Sequence, residues 1–195
     1  MVKYTLGLLL LCTLATGAFH RAKAYRAGDR FDRRNEGWGP LILIRLFGLL
    51  TAIAVWRGFQ GAVGDGVWNW LGVGIAAGGS ALLITMFRAL GHNLTDTVET
   101  RAGAELVRSG PYRWIRNPMY TGVLVFTAGL GLALGSVSVA ISGGAVFAML
   151  AVRTRTEERF LVARFGAQYE NYMRDVGRFF PKFTLGAGRV AVKFP

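Results

Sequence analysis

Long apolar runs alternate with short polar segments along the chain. The runs cover residues 4–19, 40–56, 67–90 and 119–152. A helix needs about 20 apolar residues to cross the hydrocarbon core of a bilayer, so each of the first three runs fits one membrane helix. The fourth run has 34 residues without a charge. As a single helix it would be about 50 Å long, well beyond the roughly 30 Å core. We therefore predict that it folds back near Gly135 and Ser136, which gives five membrane helices in an all-α integral membrane protein.

The basic residues predict the orientation of these helices. Of the 23 lysines and arginines, 20 lie in three segments that a five-helix topology places on one side: residues 20–34, 88–116 and 153–193. Basic segments stay in the cytoplasm, so we expect a multi-pass cell-membrane protein with its N-terminus outside and its C-terminus cytoplasmic. The first run resembles a signal peptide, but the basic cluster after it favours a retained helix.

Composition agrees with a membrane protein. The chain of 195 residues is 52% hydrophobic and only 17% charged, and it contains 27 glycines. Its net charge of +12 would suggest nucleic acid as the partner of a soluble protein. Because the basic residues flank apolar runs, we interpret them as topology determinants and lipid contacts, and predict no nucleic-acid partner. One cysteine and two histidines offer little for a disulfide or a metal site, and we predict no metal.

Two features inside the apolar runs predict how the helices pack. Gly74 and Gly78 form a small-xxx-small pair, which we expect to permit close helix packing. Arg45 lies within the second run, near its cytoplasmic start, and we expect its side chain to snorkel to the headgroups.

The polar segment 109–120 is set between two apolar runs. Pro111 and Pro118 predict an interrupted helix there. The hairpin must bring its two ends together, which places Arg116, Asn117 and Tyr120 near Arg153, Glu157 and Glu158. Guanidinium groups, carboxylates and aromatic rings at one place suit a charged cofactor with a ribose or a cationic centre. The residues alone leave two other interpretations open: an interfacial loop, and a solvated helix face paired with nearby arginines.

The motifs resemble a known family. The string from Gly110 to Gly122, followed by Glu157-Glu158, Phe165-Gly166, Tyr169, Tyr172 and Pro181, resembles the C-terminal signature of the isoprenylcysteine carboxyl methyltransferase and phospholipid methyltransferase superfamily. The resemblance covers roughly residues 90–182. It implies an integral membrane enzyme that transfers a methyl group from S-adenosylmethionine to a lipid or prenylated acceptor in the bilayer.

The resemblance also implies an organisation of the chain. Residues 1–90 would form three N-terminal membrane helices. Residues 91–182 would form the methyltransferase-like region, with a cofactor turn at 106–120, a helical hairpin at 119–152 and a cytoplasmic amphipathic helix at 153–176. Residues 183–195 would be a tail.

The implied site residues fall into two groups. Those expected to bind the cofactor are His92, Leu106, Val107, Gly110, Pro111, Tyr112, Arg116, Asn117, Pro118, Tyr120, Glu157 and Glu158. Those expected to act in catalysis are Arg116, Glu158 and Arg174. Asn117 stands where the family commonly has histidine, and His92 is the candidate to replace it. An arginine, Arg174 or Arg116, would position a carboxylate acceptor, whereas Glu158 would deprotonate an amine acceptor.

Other functions remain open on the sequence. The acceptor we expect is an isoprenylcysteine-like carboxylate, with the amine of a phospholipid as the alternative. Membrane sterol reductases are similar over the same region and would bind NADPH instead. A non-enzymatic scaffold or transporter would bind neither cofactor.

Overall fold

Six helices make up the described part of the protein. The structure, a computed structural model, describes residues 1–26, 38–90 and 106–182. The helices are α1 (Val2–Arg26), α2 (Trp38–Gln60), α3 (Val67–Leu90), α4 (Pro118–Leu134), α5 (Val137–Phe165) and α6 (Ala167–Asp175). Four of them, α1, α2, α3 and α5, are long and apolar enough to cross a membrane, and α4 is a shorter apolar helix of 17 residues. The predicted all-α membrane fold is confirmed.

A tight turn joins α4 to α5 where the sequence predicts it. Gly135 ends α4 with φ +61°, and its N–H donates to the carbonyls of Gly131 and Leu132. Left-handed backbone of this kind closes helices and favours glycine. Ser136 then precedes the first residue of α5. The hairpin is confirmed, and its short connection forces α4 and α5 to run antiparallel, so their far ends lie on the same side.

The backbones of α3 and α4 touch. A Cβ atom added to Gly72 or Gly79 would lie 2.4 Å from a backbone nitrogen of α4. One added to Gly129 of α4 would lie 2.3 Å from a backbone nitrogen of α3. Glycine is therefore required at these positions, as at close helix crossings in lipid. This contact fixes α4, and with it the start of the polar site, against α3.

Gly74 and Gly78, the pair predicted to permit close helix packing, make no such contact in the described structure. A Cβ atom on Gly74 or Gly78 would meet nothing within 4 Å. Each residue of a helix turns by about 100°, so Gly74 lies on nearly the opposite face from Gly72. The glycines in contact, Gly72 and Gly79, are seven residues apart and lie on another face of α3 than the predicted pair.

The remaining membrane helices surround this pair. α1 packs on α3, where Thr13 and Ser80 share a buried hydrogen bond of 2.6 Å. α2 packs mainly on α5, and its other face is exposed. Arg45 is exposed on α2, so its predicted snorkelling stays a prediction. The core between the helices is apolar, with Leu6, Met86, Leu130 and Val139 almost fully buried.

The polar end of the chain differs from the single helix predicted at 153–176. α5 continues through 29 residues, about 43 Å, and carries Glu157 and Glu158 beyond its apolar part. It ends at Gly166, whose φ is +53° and whose N–H donates to the carbonyl of Val162. α6 then starts in a new direction. The prediction of one uninterrupted helix is wrong. Gly166 interrupts it, because its backbone adopts a conformation that other residues rarely take.

Candidate functional site

The polar segment begins with a 3₁₀ turn from Gly110 to Arg113. Gly110 has φ +58°, and a Cβ atom there would meet Ala89 at 3.0 Å, so the turn lies against the end of α3. Tyr112 packs against the apolar core, and its carbonyl accepts a hydrogen bond of 2.6 Å from the Tyr172 hydroxyl. The turn is therefore tied to both α3 and α6.

The segment after α6 lies beside the start of α4. Ile115 and Gly177 form an isolated parallel bridge. The N–H of Arg116 donates to the Gly177 carbonyl at 2.8 Å, and that of Asn117 to the Arg178 carbonyl at 3.0 Å. The Thr121 hydroxyl donates to the carbonyl of Phe179 at 2.6 Å. Residues 177–179 are thus fixed as one wall of the site.

Arg116 connects three elements. Its Nε and Nη2 donate to Glu158 Oε1 at 3.1 and 2.9 Å, and its Nη1 donates to the carbonyls of Met173 and Val176. The side chain is only 6% exposed. All three nitrogens of the guanidinium group are therefore engaged within the protein. This residue ties α5 and the end of α6 to the start of α4.

Glu158 is shared by two arginines. Besides Arg116, Arg178 donates to it through Nε at 3.2 Å and Nη2 at 2.6 Å. Glu158 is 7% exposed, whereas Arg178 is 42% exposed. Oε1 accepts three of these four hydrogen bonds and Oε2 accepts one, so both oxygens of the carboxylate are bonded to arginine. Its main role in this structure is to neutralise a buried guanidinium group.

Glu157 forms a second polar group on the next position of α5. The hydroxyl of Tyr120 donates to its carboxylate at 2.6 to 2.7 Å. Arg153 Nε lies 3.1 Å from the same carboxylate, with the two side chains 15% and 17% exposed. The proximity predicted from the hairpin, Arg116 and Tyr120 beside Glu157 and Glu158, is confirmed.

Three tyrosines beside these carboxylates have raised pKa values. Burial raises the pKa of Tyr172 to about 12, although the charges of Arg116 and Arg108 oppose the shift. Burial also raises the pKa of Tyr112 well above its usual range, with smaller contributions from Tyr172 and Glu157. Tyr169 shifts in the same direction, first through burial and then through Glu158. All three phenols stay protonated at neutral pH and can donate hydrogen bonds.

The other predicted residues have distinct surroundings. Leu106 and Val107 are half-buried just before the 3₁₀ turn. Asn117 precedes α4, and its amide donates to the Arg178 carbonyl at 3.2 Å. Arg174 lies exposed on α6 and donates to Asn171. His92 lies outside the described residues, and the predicted binding roles of the whole set stay predictions.

Two arginines in the site were not predicted. Arg108 stacks on the Tyr172 ring at 5.5 Å and donates to the Gln168 carbonyl at 2.7 Å, while its buried Nε lacks a hydrogen-bond partner in the described structure. Arg178 binds Glu158. Both flank motifs that the sequence does show, Arg108 two residues before Gly110 and Arg178 directly after Gly177. Their position next to these glycines is the signal that could have found them.

The sequence model of the family described as Phospholipid methyltransferase matches residues 67–168, just over half of the chain. The chain belongs to the phospholipid methyltransferase family. The matched range begins with α3 and includes the 3₁₀ turn, the hairpin and both glutamates. Arg178 and the rest of residues 169–182 lie beyond it.

Individual relatives agree with this family. The cobalt-zinc-cadmium resistance protein CzcN of Cupriavidus metallidurans is 30% identical over 180 residues, which cover 87% of this chain and 74% of that protein. The protein-S-isoprenylcysteine O-methyltransferase of Saccharomyces cerevisiae is 32% identical over 90 residues, 45% of this chain and 38% of that one. The chain therefore spans well under half the length of the yeast relative.

A solved structure shares the fold. It is described as the eukaryotic intramembrane Ras methyltransferase, isoprenylcysteine carboxyl methyltransferase. The TM-score is 0.60 at 19% sequence identity, covering 91% of this chain and 67% of that one. The family and the fold together indicate a membrane methyltransferase.

Proposed function

We propose that this protein transfers the methyl group of S-adenosylmethionine to a carboxylate carried by a lipid, such as that of an isoprenylcysteine. The observation that carries the proposal is the polar cluster of Arg116, Tyr120, Glu157 and Glu158 at the foot of the hairpin. The family match covers this cluster, and the yeast relative carries the name of an isoprenylcysteine methyltransferase.

The residues present fit this cofactor. Glu157 is a carboxylate that remains 17% exposed and is suited to accept hydrogen bonds from ribose hydroxyls. The ring of Tyr112 offers an aromatic face to a cationic centre. The buried Arg108 Nε, which lacks an acceptor within residues 106–182 and the other described ranges, suits an anionic group such as the carboxylate of the amino-acid part.

The bound cofactor supplies an electrophilic methyl group, so the protein has to hold the acceptor oxygen in line and exclude water. A carboxylate acceptor is already ionised at neutral pH and needs no base. We assign Arg116 a positioning role, because its donors are occupied by Glu158 and by backbone carbonyls. Glu158 holds that arginine in place. Glu157 and the 3₁₀ turn then form the surface that binds the cofactor.

A methyl-transfer assay tests the proposal. The purified protein in lipid nanodiscs is given labelled S-adenosylmethionine with either a prenylcysteine analogue or phosphatidylethanolamine. We expect label in a base-labile ester of the prenylcysteine. Glu157→Gln should weaken cofactor binding about tenfold through loss of a charged acceptor, whereas Glu170→Gln, an exposed change on α6, should leave it intact. Absence of transfer to any acceptor, with tight NADPH binding, would favour a reductase instead.

The family description favours a second acceptor, the amine of a phospholipid. In this case label should appear in a base-stable headgroup of phosphatidylethanolamine. Glu158 would have to remove a proton, yet its oxygens are occupied by two arginines. For this reason we favour a carboxylate acceptor over an amine acceptor.

The similarity to CzcN supports a role in metal tolerance as a further candidate at the level of the cell. The described residues hold no group of three or more histidine, cysteine, aspartate or glutamate side chains that could bind a metal ion. We connect such a role to methyl transfer, because the family match covers both glutamates of the polar cluster. Loss of the gene should raise sensitivity to cobalt, zinc or cadmium, and Glu157→Gln should fail to restore growth where Glu170→Gln succeeds.

We further propose that the site faces the cytoplasm. Basic residues lie in the last turns of α1 and α3, namely Lys23, Arg26 and Arg88, and Arg153 lies beside Glu157 on α5. Such residues favour the cytoplasmic side. The α4–α5 hairpin supports this placement, because it returns the chain to that end.

A further inference from the structure

We infer that Arg178 binds the anionic group of the acceptor, in place of the Arg174 that the sequence suggested. The inference deepens the proposed function and rests on it. Arg178 lies beyond the residues that the family model matches, in the segment 177–179 that is held beside the start of α4.

Arg178 is far more accessible to a ligand than Arg116. Arg116 is 6% exposed and uses all three guanidinium nitrogens. Arg178 is 42% exposed and binds Glu158 through Nε and Nη2. Its Nη1 makes no hydrogen bond with any residue that the structure describes. Glu158 thus holds one edge of the guanidinium group, and Nη1 on the other edge is left to bind a ligand. Because the side chain is already held in place, binding costs little additional conformational entropy.

The local charge favours an anion. Arg116 and Arg178 share the single carboxylate of Glu158, so one positive charge of this group is not balanced. The neighbouring carboxylate, Glu157, is paired with Arg153. An anion beside Arg178 would complete the pairing in a partly buried place, where charges interact more strongly than in water. A cationic amine at this position would be repelled.

The depth of Arg178 fits a lipid. Its side chain reaches Glu158, whereas the ring of the next residue, Phe179, contacts Phe147 with centroids 5.2 Å apart. These two partners are eleven residues apart on α5, about 16 Å along the helix. The segment therefore places a guanidinium group at the polar end and an aromatic ring towards the apolar part of α5. An amphiphile with an anionic head and an apolar chain matches both.

The planar guanidinium group binds carboxylates and phosphates through paired hydrogen bonds. The ligand is therefore a lipid-borne oxyanion, either the carboxylate of a prenylated cysteine or the phosphate of a phospholipid. Arg174 lies on the exposed face of α6 and donates to Asn171. Among the described residues, Arg174 has no carboxylate partner like the one that holds Arg178.

The test measures binding of three amphiphiles to the full protein in detergent by calorimetry: a prenylcysteine analogue with a free carboxylate, the same analogue as a carboxamide, and a lysophospholipid with a phosphate monoester head. In the wild type we expect an oxyanion to bind about tenfold more tightly than the carboxamide. Arg178→Gln should reduce this preference to about one, and Arg178→Lys should retain part of it. Arg159→Gln, an exposed arginine on α5, is the matched control and should retain the full preference.

Every outcome decides the matter. A preference for the carboxylate, or for the phosphate alone, that disappears in Arg178→Gln supports the inference and identifies the source of the oxyanion. An unchanged preference in Arg178→Gln, or its loss in Arg174→Gln, overturns it. Cofactor affinity is measured in the same samples, and an unchanged value shows that Arg178→Gln left the rest of the site folded.

Failure of the proposed function would look different. If the wild type binds the oxyanion through Arg178 but transfers no methyl group, the proposed activity is wrong and the binding site remains. If methyl transfer proceeds and the preference is insensitive to Arg178, only the present inference is wrong.

Discussion

Replacing Glu158 with glutamine tests whether the ionic cluster holds the site together. The change keeps the size of the side chain and one acceptor oxygen, but it removes the negative charge between Arg116 and Arg178. Arg116 and Glu158 are 6% and 7% exposed, so their pair is largely shielded from solvent. Arg178 is 42% exposed and its lost attraction is screened by water.

The expected loss follows from this difference in exposure. Removing one partner of a buried ion pair costs about 3–5 kcal/mol, because the other charge is left uncompensated. The amide still accepts a hydrogen bond, and Arg116 keeps the carbonyls of Met173 and Val176. We therefore expect a loss of about 2–3 kcal/mol, at the low end of that range or below it. The loss of structure should concentrate at residues 177–179, which Arg116 and Asn117 hold beside α4 through hydrogen bonds.

Two measurements check this expectation. Unfolding in mixed detergent micelles gives the free energy. Hydrogen exchange at the amides of Arg116 and Asn117, which donate to the carbonyls of Gly177 and Arg178, shows whether protection is lost there. Glu170→Gln is the control, because Glu170 is an exposed glutamate of α6, and it should change the free energy by no more than about 0.5 kcal/mol. Equal stability of the two variants, with unchanged exchange at the amides of Arg116 and Asn117, would refute the reasoning.

Three further predictions concern the fold, the pH dependence and the orientation. Gly129→Ala should destabilise the protein by about 1–3 kcal/mol, because its Cβ would lie 2.3 Å from the α3 backbone. Gly74→Ala, whose Cβ would have nothing within 4 Å, should be neutral in the same unfolding assay. The raised pKa of Tyr172, about 12, means that its contribution to stability is fully present below the ordinary phenol value of 10.0 and is lost as the pH rises towards 12. Unfolding measured against pH should show this loss, and Tyr172→Phe should diminish it. A reporter inserted near Gly61 should be accessible from outside and one fused after Pro195 only from the cytoplasm, and the reverse pattern would contradict the proposed topology.

The membrane helices were largely predictable, because their lengths follow from runs of apolar residues. α3 begins and ends where its run does, and the turn at Gly135 follows from a run too long for one span. The face that α3 presents to α4 was not predictable. Gly74 and Gly78 have the spacing of a close contact, yet Gly72 and Gly79 make it. The spacing of small residues shows that they share one face of a helix. It does not show which face of the helix packs against a neighbouring helix.

The sequence was sufficient to predict which residues of the site lie close together, but not which side chains bind each other. The hairpin alone places Tyr120 and Arg116 near the two glutamates. Which arginine binds which carboxylate depends on side-chain directions, and Arg178 reaches Glu158 only because α6 turns at Gly166. An isolated positive-φ glycine changes the path of the chain while leaving the apolar spacing on either side unaltered. The predicted helix therefore continued through it.

The parallel bridge between Ile115 and Gly177 has a consequence for biosynthesis. All six described helices precede Gly177 in the chain, and the ribosome makes the N-terminal part first. Arg116 therefore emerges long before the carbonyls of Met173 and Val176 that it binds in the finished protein. A nascent or truncated chain ending before these residues already contains Glu158, but it lacks the acceptors of two of the four hydrogen bonds of Arg116. The site therefore reaches its full set of hydrogen bonds only after all six described helices have been made.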